Sequence, residues 1–122
     1  MQQKYIIFLA AALLLKTVST QIYISEADYN QCMDQTDKQF RADRNMKVKD
    51  AEKCLDRCLM IKSKLIGENG KVLAGKWQTQ LTAMYGESFG KQMASCLSKI
   101  PVTKACTVVD SIDRCGQAIL KN

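Results

Sequence analysis

Residues 50–60 read Asp-Ala-Glu-Lys-Cys-Leu-Asp-Arg-Cys-Leu-Met. Ala51, Cys54, Leu55, Cys58 and Leu59 recur at helical intervals, which lines them along one face of a helix. Cys54 and Cys58 then stand one turn apart on that face. Within a regular helix they are poorly placed to bond each other, so each reaches for a different partner. The chain has four further cysteines, Cys32, Cys96, Cys106 and Cys115. A helix tied outward at two points in such a chain predicts an all-α domain held by disulfides.

The same periodicity extends in both directions. Ser25 reads as the N-cap of a first helix running to about Thr36, with Tyr29, Cys32 and Met33 on one face. Phe40 continues that line beyond an expected break, and the polar stretch 40–49 is assigned a short second helix. The third helix starts near Asp50 and ends before Gly67-Glu68-Asn69-Gly70, a strong turn signal. A fourth begins near Leu73 and places Leu73, Trp77, Leu81 and Met84 at helical spacing, with Tyr85 on the edge and Gly86 as C-cap. A fifth, from about Ser88, aligns Phe89, Met93, Cys96, Leu97 and Ile100 until Pro101 stops it. The sixth runs from about Thr103, with Ala105, Val108, Val109, Ile112 and Ile119 on one stripe. No segment shows the sustained alternation of a strand.

The N-terminal segment differs in kind. Lys4 precedes an unbroken apolar run from Tyr5 to Leu15, and Lys16 to Thr20 turn polar and small. That order is a secretory signal peptide, residues 1–20, cleaved after Ser19 or Thr20. The run falls short of the about 20 apolar residues a spanning helix needs. Residues 21–122 form a single domain carrying 16 basic and 12 acidic residues, a balance of +4. The basic residues are interspersed with acids and form no arginine-rich cluster, so nucleic-acid binding has little support. No Asn-X-Ser/Thr acceptor for N-glycosylation is present.

Cys106 and Cys115 lie nine residues apart. On one helix that puts them ~13.5 Å apart along the axis and on opposite sides, beyond disulfide reach. Excluding their pairing and that of Cys54 with Cys58 leaves ten of the fifteen possible connectivities. Spacing goes no further.

The gaps between successive cysteines are 21, 3, 37, 9 and 8 residues. The three-residue second gap and eight-residue last gap resemble the signature of insect odorant-binding proteins. The segment Lys53-Cys54-Leu55-Asp56-Arg57-Cys58-Leu59-Met60, followed by Glu68-Asn69-Gly70-Lys71-Val72, is also similar to that family. The first gap is slightly short, which implies a trimmed connection between helices one and three. The resemblance covers the domain and implies a six-helix, disulfide-bridged bundle around an apolar cavity. It also implies the pairing Cys32–Cys58, Cys54–Cys106 and Cys96–Cys115. Its partners would be a small hydrophobic ligand and, indirectly, an olfactory receptor, with the protein a monomer or weak homodimer, secreted, without stable membrane insertion. The rival reading of Cys54 and Cys58 as metal ligands is weak, because secreted thiols oxidise and no histidine exists to complete a mixed site.

Chemistry is largely excluded. Without histidine, the chain lacks Ser-His and Cys-His nucleophile pairs and the usual base near neutral pH. Asp110 and Asp113 share a polar helix face and read as solvated surface rather than an acid–base pair. No catalytic residue, metal site or cofactor is expected. What remains is apolar: Phe40; Leu55 and Leu59; Leu73, Trp77, Leu81, Met84 and Tyr85; Phe89, Met93 and Leu97; Val109, Ile112 and Ile119. Periodicity turns these inward, which a filled core satisfies as well; the resemblance implies that they line a ligand pocket. Methionines would suit varied ligand shapes, and Trp77, Tyr85 and Phe89 would stack or offer a hydrogen bond. Lys62 reads as a snorkelling side chain rather than a carboxylate anchor. Affinity is expected to vary little between pH 5 and 7, because with no histidine a switch there would need a carboxylate of raised pKa. The competing function is a basic, membrane-active defence or venom protein, which would need an exposed amphipathic basic helix.

Overall fold

The computed structural model describes residues 4–8 and 21–121. The leader expected over residues 1–20 lies outside the described residues apart from Lys4–Phe8. That segment is a strand, β1, pairing antiparallel with β2 (Gln21–Ser25) in the register Lys4↔Ser25 to Phe8↔Gln21. This short ribbon departs from the purely helical expectation. Both strands are five residues long and rich in β-branched or aromatic residues, which favour extended pairing, but five residues are too few for alternation to be read.

Five helices follow among the described residues: α1 (Glu26–Ala42), α2 (Val48–Lys62), α3 (Ala74–Tyr85), α4 (Glu87–Leu97) and α5 (Val108–Leu120). Ser25 starts α1, its hydroxyl accepting from the Asp28 N–H at 3.2 Å, and Glu26 and Asp28 sit at the positive end of the helix. The break expected after Thr36 does not occur. No glycine or proline interrupts residues 26–42, and Arg41 bonds Asp37 one turn back at 3.1 Å. The short second helix expected over 40–49 is therefore absent as a separate element. Its first three residues extend α1, its last two open α2, and between them lies an Asx turn, with the Asn45 N–H donating to Asp43 Oδ1 at 2.9 Å.

The segment after α2 is a tight, ordered turn. Lys64 takes φ 64°, and the Leu65 N–H donates to the Met60 carbonyl at 2.9 Å. Ile66 and Val72 form an isolated antiparallel bridge. Gly70, at φ 93°, closes the turn, and a Cβ there would collide with the Thr103 carbonyl. That contact helps explain why α5 begins at Val108 rather than near Thr103. The Thr103 backbone is held against Gly70, and its hydroxyl accepts from the Ala105 N–H at 3.1 Å, an ST-turn that competes with helix.

α3 and α4 form the closest-packed helical pair, joined at Gly86 (φ 99°, ψ 164°). Gly90 of α4 lies flush against the Thr82 side chain, where a Cβ would overlap. One apolar cluster runs through the molecule, including Leu59 and Met60 of α2, Trp77 and Leu81 of α3, Met93 and Leu97 of α4, and Val108, Val109 and Ile112 of α5.

Candidate functional site

All six cysteines are joined, and no free thiol remains. Cys32–Cys58 ties α1 to α2 with a Cα separation of 5.6 Å. Cys54–Cys106 ties α2 to the segment entering α5 at 4.8 Å, and Cys96–Cys115 ties α4 to α5 at 5.8 Å. The bridges thus form one relay, α1 to α2 to α5 to α4. α3 is outside the relay and is held by packing on α4 and by the Trp77 indole, which donates to the Leu65 carbonyl at 3.1 Å. No group of residues able to hold a metal ion occurs among the described residues.

The side chains read as inward from sequence take three kinds of place. Leu59, Trp77, Leu81, Met93, Leu97, Val109 and Ile112 are buried in the common cluster, and Leu55, Phe89 and Ile119 pack partly buried against it. Leu73 lies at the wall of a cleft beside the start of α3. Phe40, Met84 and Tyr85 are about 40% exposed. Phe40 and Leu55 both line a groove of about 230 Å³ between α1 and α2, with Met33, Thr36, Asp37, Val48, Ala51 and Glu52. Tyr85 stands edge-on to Phe89, ring centroids 5.5 Å apart, at the α3–α4 corner. The buried indole N–H already has a carbonyl partner, so Trp77 contributes apolar surface rather than a free donor. Lys62, the last residue of α2, is half-buried.

Sequence reasoning missed Met33 and Val48 as groove residues, because the polar stretch between them reads as a separate element. It also missed Asp56. This carboxyl, one turn beyond Glu52 on α2, is pushed up to about 6 by burial, with the Glu52 charge adding to the effect. In a chain without histidine, a carboxyl raised in this way is the kind of group a switch between pH 5 and 7 would need. The available signal was its position beside the helix's apolar stripe, where Leu55 and Leu59 bring it toward the interior.

The two acids on α5 are engaged separately. Asp110 pairs with Lys53 at 3.0 Å, adjacent to the Cys54–Cys106 bridge. Asp113 accepts from Gln117 Nε2 at 2.9 Å, and its carboxyl is raised by burial first and by the Asp110 charge next, against a lowering by Arg114.

A second concavity, about 980 Å³, separates the start of α3 from the turn after α4, with walls from residues 71–76, Thr79 and 98–102. Compared with known proteins, the chain matches the model of the PBP/GOBP family over residues 18–118. No curated protein and no solved structure matches it.

Proposed function

The chain belongs to the PBP/GOBP family of insect odorant-binding proteins, and on that premise we propose that it is an extracellular carrier of small hydrophobic ligands such as odorants or pheromones. The observation that carries this reading is the extent of the match, which takes in all six cysteines, the first four described helices and α5 up to two residues before its end. The family consists of binding proteins rather than enzymes.

Secretion fits the bridges, which form and persist in oxidising surroundings. Residues 1–20 are proposed as the leader and 21–122 as the carrier domain. No helix among the described residues is long and apolar enough to cross a membrane. Delivery to an olfactory receptor, and a monomeric or weakly dimeric state, belong to the same proposal.

The pocket is proposed within the disulfide-bridged helical bundle, its walls drawn from the inward stripes of α2 to α5, with the α1–α2 groove as an apolar extension. Enclosing a ten-carbon ligand gains ~8 kcal/mol at ~0.8 kcal/mol per methylene. Association and ordering take back several kcal/mol, which leaves affinities around micromolar, strong enough to carry and weak enough to release. The test is mass spectrometry of compounds extracted from protein purified from its native tissue. A lipophilic compound present in near-stoichiometric amount is expected. Recovering none, together with failure of any apolar fluorescent probe to bind, would remove the carrier function.

A further inference from the structure

The charged residues that line the cleft between the start of α3 and the turn after α4 are all basic. Lys71, Lys76 and Lys99 line it, and none of its lining residues is acidic. All three lysines are exposed. None is in an ion pair among the described residues. The first turn of α3, which borders the cleft, holds no acidic residue to offset the positive end of that helix.

Between the lysines the surface is apolar. Val72 is buried, Leu73 and Ile100 are half-buried, and Val102 is 57% exposed at the rim. Like charges brought together around such a floor repel one another. An anion with a hydrocarbon chain relieves that repulsion and covers the floor at once. Two separate segments wrap the cleft, residues 71–76 and 98–102, a concave shape that suits one inserted molecule better than a flat bilayer.

We propose that this cleft binds the acidic head of a lipid-like acid, a long-chain carboxylate in monomeric form. Lys71, Lys76 and Lys99 surround the head, and the chain lies against Val72, Leu73 and Ile100. The proposal rests on the carrier reading and goes beyond it by adding, outside the interior pocket, a surface site with its own ligand class.

The test compares dodecanoate with dodecan-1-ol, equal in chain length and different in charge, by calorimetry at about pH 7. The proteins are the disulfide-bonded wild type and the triple variant Lys71→Gln, Lys76→Gln, Lys99→Gln, whose exposed positions leave the core untouched. Dodecanoate affinity should fall about tenfold in the variant, the combined effect of three modest exposed ion pairs, while dodecan-1-ol affinity stays unchanged. Equal losses for both ligands, or no loss for dodecanoate, would overturn the proposal. So would loss of binding to phosphatidylcholine–phosphatidylserine vesicles with dodecanoate unaffected, which would make the cleft a membrane-docking face. Wild type that binds dodecan-1-ol but not dodecanoate overturns the acid-head site alone; wild type that binds neither removes the carrier reading with it.

Discussion

The indole N–H of Trp77 reaches 3.1 Å to the carbonyl of Leu65, so the turn closing α2 is fastened to α3 inside the core. Both residues are essentially inaccessible to solvent. This bond secures the one helix that no disulfide reaches. Trp77→Phe removes the donor, strands the buried carbonyl and leaves a small void. We expect a loss of about 2–4 kcal/mol in urea unfolding. A loss below about 1 kcal/mol would mean that α3 is held chiefly by α4.

Asp56 sets a pH dependence of stability. Its carboxyl titrates near 6 in the folded protein, against about 3.9 in an unfolded chain. The folded state therefore holds the proton more tightly, and stability falls as pH rises from about 4 to 6, then stays lowered. Asp56→Asn should raise stability by about 1 kcal/mol at neutral pH, once partial solvent access is allowed for, and by much less at pH 4. Thermal unfolding at the two pH values checks this; an equal gain at both would show that charge is not the cause.

Three glycines separate backbone strain from space. Gly70 combines φ 93° with contact on the Thr103 backbone, Gly86 has φ 99° in open space, and Gly75 lies in the first turn of α3 in open space. Gly70→Ala should cost most, above about 2 kcal/mol, and Gly86→Ala about 1–3 kcal/mol. Gly75→Ala should stabilise by about 0.5–1 kcal/mol. Chemical denaturation of the three variants tests the ranking.

The bridges should differ in worth with the loop each closes. Cys54–Cys106 spans 52 residues and Cys96–Cys115 spans 19. Loop-closure entropy gives about 4 kcal/mol for the first and about 3 kcal/mol for the second. Paired Cys→Ala variants, measured by denaturant midpoint, should keep that order; reversal would place the stabilisation in native packing instead.

Periodicity made α2 to α4 legible to within a few residues, because their apolar stripes repeat every turn. Leu59, Leu81, Met93 and Ile112 could be recognised as interior residues for the same reason. The joint between α1 and α2 was not legible: nothing in residues 36–49 distinguishes a polar exposed helix from two short ones, and the Arg41–Asp37 pair and the Asp43 turn settle it only locally. The start of α5 depends on Gly70 meeting Thr103, a contact between residues 33 positions apart. The same limit applies to the cysteines. Spacing left ten connectivities open, since distances between helices are not contained in intervals along one. The lysine cleft is assembled from segments on either side of two helices, so no local motif marks it.

Saturable binding of an apolar ligand tests the central claim most directly. Titration of the disulfide-bonded domain with a fluorescent naphthylamine probe should give a single class of sites near one per chain, with a Kd around micromolar, and a lipophilic alcohol should displace the probe. Absence of saturable binding, with leakage of anionic vesicles by the same protein, would contradict the carrier account and favour a membrane-active protein.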